Sequence, residues 1–131
     1  MLKRWIREFS SGPVSNPAPR VVIAWWEKRR IAFNILVGLY GLVALVLFYC
    51  AILGSDLLSD GEDAFEPTAL IVAPIVINVL YILGWMVEIS LRSIWPSLSP
   101  TFGPVLLSTG LGLGFVLSMI PATVVLGYRL Y

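Results

Sequence analysis

Three long apolar runs leave this chain one kind of fold. Residues 31–53 and 102–126 contain no Asp, Glu, Lys or Arg, and residues 68–89 contain one, Glu88. About 20 apolar residues in a helix, at ~1.5 Å rise each, cover a ~30 Å hydrocarbon layer. The expected fold is therefore an all-α integral membrane protein with three transmembrane helices running up-down-up. Composition agrees, with 58% hydrophobic and 13% charged residues, where soluble domains carry about a quarter charged. Residues 1–30 form a charged N-terminal segment ahead of a three-helix membrane domain, 31–131.

That N-terminal segment has two parts. Leu2, Trp5, Ile6 and Phe9 recur at helical spacing, with Lys3, Arg4, Arg7 and Glu8 opposite. The spacing predicts a short amphipathic helix on the cytoplasmic surface of the membrane. No apolar stretch and cleavage site of the secretory kind follow it, so the mature chain is expected to begin at Met1. The stretch SSGPVSNPAP then breaks the helix. Beyond it, WWEKRR brings Trp25 and Trp26 beside Lys28, Arg29 and Arg30. Tryptophans and cations at the end of an apolar run are the usual interfacial anchors, so these five residues are expected to meet headgroups, anionic ones in particular.

Charge distribution sets the expected threading. Seven of the nine Lys and Arg residues precede the first span, whereas the loop after it, GSDLLSDGEDAFEP, holds five carboxylates and no cation. The positive-inside bias places the N-terminus in the cytoplasm, the acidic loop and the C-terminus outside, and the Arg92 turn inside. Arg129 is the one cation on the other side. The loop's carboxylates do not follow the alternating spacing of a calcium loop; a solvated loop that enforces topology is the expected reading, with calcium binding the alternative.

The second span carries the polar chemistry. Pro74, Asn78, Tyr81, Trp85 and Glu88 step by 4, 3, 4 and 3 residues, which keeps them on one helical face. Polar groups in a membrane are costly unless paired, so this face should point at protein. It serves either as a polar pathway or as interhelical glue, with Asn78 bonding to another helix. Glu88 can pair with Arg92 at i+4, or with Arg29 or Arg30 across the helix pair. Elsewhere, Gly38 and Gly41 on the first span, and Gly110, Gly114 and Ser118 on the third, are small residues suited to close helix packing. Pro121 is expected to kink the outer end of the third helix. Cys50 lacks a neighbouring cation and is expected to be a buried apolar residue.

Catalysis finds little support. The chain has no histidine, one cysteine, no nucleophile–base pair, no metal-ligand cluster and no phosphate loop. The string GLGLG lies within an apolar helix, without the strand a dinucleotide loop requires. No enzyme activity, cofactor, metal or nucleic acid is expected.

The strings WWEKRR, EDAFEP, INVLYILGWMVE and GYRL, from about Val21 onward, resemble a group of small bacterial three-span hypothetical membrane proteins. The resemblance implies a bacterial inner-membrane location and a three-helix design, and it assigns no functional residue. Three functions fit this reading. The first is an accessory or scaffolding subunit of a homo-oligomer or a larger membrane complex. The second is a small oligomeric channel or transporter using the Asn78–Glu88 face. The third is a membrane-bound regulator that binds anionic lipid. Whichever holds, the stretch around Glu27, Asn34, Trp85 and Glu88 is expected to share one depth and to be where function beyond anchoring resides.

Overall fold

The computed structural model describes residues 3, 11–12, 17–53 and 67–130. Those residues form three long helices and no strand: α1 (Pro19–Ile52), α2 (Pro67–Ile94) and α3 (Phe102–Leu130). All three are long and apolar enough to cross a membrane. Apart from Lys3, the amphipathic helix expected over residues 2–9 lies outside the described residues, as do the carboxylates of the acidic loop.

Local chemistry sets the boundaries. Pro19 opens α1 at a position where its missing N–H costs nothing, after Ala18 in an extended conformation (φ −58°, ψ 148°). From there α1 runs unbroken for 34 residues, about 51 Å. No boundary falls at residue 30, so the WWEKRR stretch is a membrane helix's own first turns rather than part of a separate segment. α2 stops at Ile94 because Pro96 disfavours helical geometry at Trp95. Ser99 then helps start α3, accepting the Thr101 N–H on its Oγ (3.2 Å) and the Phe102 N–H on its carbonyl (3.1 Å). Pro121 sits inside α3 without ending it.

Side-chain contacts fix the packing. Trp26 meets Glu88 and Asn34 meets Asn78, so α1 and α2 are antiparallel. Tyr40 meets Phe115 and Arg129 meets Ala51, so α1 and α3 run parallel, and theirs is the most extensive interface. The core joins Val22, Trp25, Trp26, Phe33 and Val37 of α1 to Tyr81 of α2 and Leu107 of α3. α2 is attached mainly by its second half. Leu70 to Val76 are all exposed, while Tyr81, Glu88 and Arg92 are buried.

Arg129 closes the far end. Its guanidinium donates to the Ala51 carbonyl (3.1 Å), one of the last carbonyls of α1, which no further turn can satisfy. The cation that runs against the charge bias thus has a local structural partner.

Candidate functional site

The polar chemistry concentrates where the start of α1, the end of α2 and the start of α3 converge. Glu88 is completely buried, at 0% exposure. One carboxylate oxygen accepts from Arg92 Nε (2.9 Å) and Nη2 (2.8 Å), and the other from Trp26 Nε1 (2.6 Å). Arg92 reaches on to the carbonyls of Leu98 and Ser99 at 3.3 Å each. α2 is thereby tied both to α1 and to its own connection with α3. Charge-assisted bonds of this sort are the strong ones, and they make burial of the pair tolerable.

Two glycines make room for this arrangement. A Cβ on Gly103 would lie 2.6 Å from Glu88 Oε2, and a Cβ on Gly84 would lie 2.9 Å from the Trp26 ring. Gly103 therefore lets the first turn of α3 close over the carboxylate. The Tyr81 hydroxyl donates to the Trp26 carbonyl, and the Trp26 and Tyr81 rings meet edge to face at 5.2 Å.

The tryptophans depart from the interfacial reading. Trp25 and Trp26 are 8% and 2% exposed, so they belong to the protein interior, not to a headgroup belt. Both indoles have protein acceptors, Trp25 donating to the Ser11 carbonyl at 2.6 Å. Arg29 stacks over the Trp25 ring at 3.9 Å and donates to the carbonyls of Trp25 and Ser11. Gly12 packs so tightly on Pro100 that a Cβ would fall 1.7 Å from the Pro100 carbonyl oxygen. The exposed aromatics near the ends of the bundle are instead Trp95 and Tyr128.

Of the remaining anchors, Lys28 is exposed and Arg30 half-buried, in an ion pair with Glu27 at 2.8 Å. Glu27 is exposed and pairs with Arg30 rather than joining the Glu88 hydrogen bonds. Asn34 is deeper still. It exchanges hydrogen bonds with Asn78, 3.0 Å one way and 3.3 Å the other, and Asn78 also donates to the Pro74 carbonyl. The cluster expected at one depth is therefore two layers: Trp26, Glu88 and Arg92, and further in the Asn34–Asn78 pair.

The α2 stripe faces protein as its spacing predicts, with Tyr81 and Glu88 buried, Asn78 and Trp85 half-buried and Pro74 exposed beyond the contact. The small residues divide. Gly114 packs against Tyr40, whose hydroxyl would lie 2.8 Å from an added Cβ. Gly38, Gly41 and Gly110 have open space there, so the close approach expected of them is not made among the described residues. Ser118 is half-buried, its hydroxyl donating to the Phe115 carbonyl of its own helix. Cys50 is exposed on α1 rather than buried, because α1 turns Ala44 and Ala51, not Cys50, toward the interior.

Sequence reasoning missed Trp26 and Gly103 as partners of Glu88. The signal for Gly103 was its place, in the first turn of a helix where small size admits a neighbour. No family model, curated protein or solved structure matches the chain.

Proposed function

We propose that the protein is a non-enzymatic membrane subunit that scaffolds an oligomer or a larger complex in a bacterial inner membrane, with its N-terminus in the cytoplasm. One observation carries this reading. Asn78, Tyr81 and Glu88, the polar residues that a pathway would need, direct their hydrogen bonds to partners inside the same chain. A stripe satisfied in this way holds helices together and offers no continuous track for an ion. The open faces suit a subunit. Gly110 and Gly112 leave space on α3, and the first half of α2 is unpacked, so a neighbouring helix could approach closely.

The test compares assembly with flux. Purified in mild detergent, the wild type should run as an oligomer or with a stoichiometric partner, and Gly110→Leu should reduce that mass while helicity is kept. Reconstituted liposomes should leak no faster than protein-free ones. A conductance that Asn78→Leu abolishes without disturbing assembly would overturn the scaffold in favour of the channel. Threading has its own check: a cysteine placed at Asp60, in a Cys50→Ser background, should be labelled from outside only.

A further inference from the structure

The seam between α1 and α2 holds donors that the protein leaves unanswered. Trp85 Nε1 and Arg30 Nε are both shielded, and neither has a hydrogen-bond partner among the described residues. Both lie between the Trp26–Glu88 and Asn34–Asn78 contacts, with Arg30 over the Tyr81 ring at 5.4 Å and Trp85 one turn along α2 from Tyr81. Donors with no acceptor in a membrane protein are costly, and a phosphate oxygen is the acceptor that membranes supply in quantity. Arg30 also holds Glu27, but in an exposed pair of a kind that binds weakly and can be exchanged.

The same stripe of α1 continues inward with matching chemistry. Arg30, Asn34, Gly38 and Gly41 step by 4, 4 and 3, on one face. Asn34 and Asn78 bond each other; Asn78 gives its second amide proton to the Pro74 carbonyl, and Asn34 keeps one. Gly38 and Gly41 then offer open space, and α2 is unpacked at this depth. From Arg30 to Gly41 the stripe covers about 16 Å, close to half a hydrocarbon layer. Cation, amide, then an apolar groove is the order of groups in a glycerophospholipid, from phosphate through ester carbonyls to acyl chain.

We propose that this seam binds one glycerophospholipid with an anionic headgroup. Its phosphate meets the half-exposed Arg30 guanidinium and, with the side chains at the seam parted, accepts from the shielded Arg30 Nε and Trp85 Nε1; its ester carbonyls lie beside the Asn34–Asn78 pair, and one acyl chain runs along Gly38 and Gly41. Arg20 and Lys28, both exposed near the same end of α1, favour an anionic over a zwitterionic head. The site shares the open first half of α2 with the scaffold reading but does not involve Gly110 on α3, where that reading is tested.

Native mass spectrometry of the full chain in mild detergent, titrated with phosphatidylglycerol or phosphatidylcholine, tests it. The wild type should retain one phosphatidylglycerol in preference to phosphatidylcholine. Arg30→Gln and Trp85→Phe should each weaken retention about tenfold. Gly41→Leu, which fills the groove, should weaken it too, while Arg129→Gln at the far end should not. Trp85→Phe removes the donor but keeps an aromatic ring at that position, and circular dichroism with thermal unfolding checks that each variant is folded. Equal retention by wild type, Arg30→Gln and Trp85→Phe would overturn the site. Displacement of the lipid by millimolar inorganic phosphate would assign the donors to a free anion and also overturn it.

Discussion

Glu88 is a buried carboxylate whose three donors come from two side chains, and its loss or theirs should be felt unequally. Arg92→Met leaves the charge buried beside one indole, and should cost roughly 3–5 kcal/mol by reversible unfolding in detergent. Adding Glu88→Gln to Arg92→Met should recover much of that, because the amide still accepts from Trp26 and no charge remains. Gly103→Ala forces a methyl against the carboxylate and should cost about 1–3 kcal/mol despite being a single carbon. The Glu88–Arg92 pair was legible from its i, i+4 spacing alone. Trp26 was not. A tryptophan beside cations at the edge of an apolar run has the composition of an interfacial anchor, and only the helix register brings Glu88 within reach of its indole. The Asn34–Asn78 bond lay between these cases, since an intramembrane asparagine demands a partner but does not name it.

At the scale of the element, α1 is longer than a bilayer requires. Its 34 residues reach about 51 Å, so some 20 Å lies beyond the hydrocarbon unless the helix tilts steeply. That excess is the charged first part, where Trp25 and Trp26 pack inward while Lys28 stays exposed. Spans read from apolar runs gave the helices but not this overhang, because charges end a hydropathy run without ending a helix. At the opposite end, Arg129→Gln should loosen the last turn of α1 by about 0.3–1 kcal/mol. Hydrogen exchange at Leu53, whose N–H bonds to the Tyr49 carbonyl, should quicken accordingly, with exchange near Trp26 unchanged. Asn34→Leu, Asn78→Leu and the double variant form a thermodynamic cycle. Its coupling is expected at about 0.6 kcal/mol and no more than about 1.7, the mean and the upper end for hydrogen bonds within membranes.

For the whole molecule, the bundle is a parallel α1–α3 pair to which α2 is joined by its second half. Stability should therefore be graded. Hydrogen exchange should be faster over Leu70–Val76 than over Tyr81–Arg92, although both are equally helical. Equal protection of the two halves in the purified protein would mean that another helix covers the first. Segment number, helix type and the inward face of α2 could all be read from apolar runs and residue spacing. The choice of α3 as the main partner of α1 could not, because small residues occur on both helices and only side-chain fit decides which of them meet.

The pairing of Glu88 with Arg92 also bears on how such a chain is made. The two residues are four apart on one helix, so they emerge from synthesis almost together and can neutralise each other as soon as α2 forms. Trp26 already precedes them in the chain, while the Leu98 and Ser99 carbonyls and Gly103 follow within a few residues. A carboxylate that would weaken the insertion of a lone helix can thus enter lipid as half of a neutral couple, with Trp26 already made and the remaining partners following within a few residues.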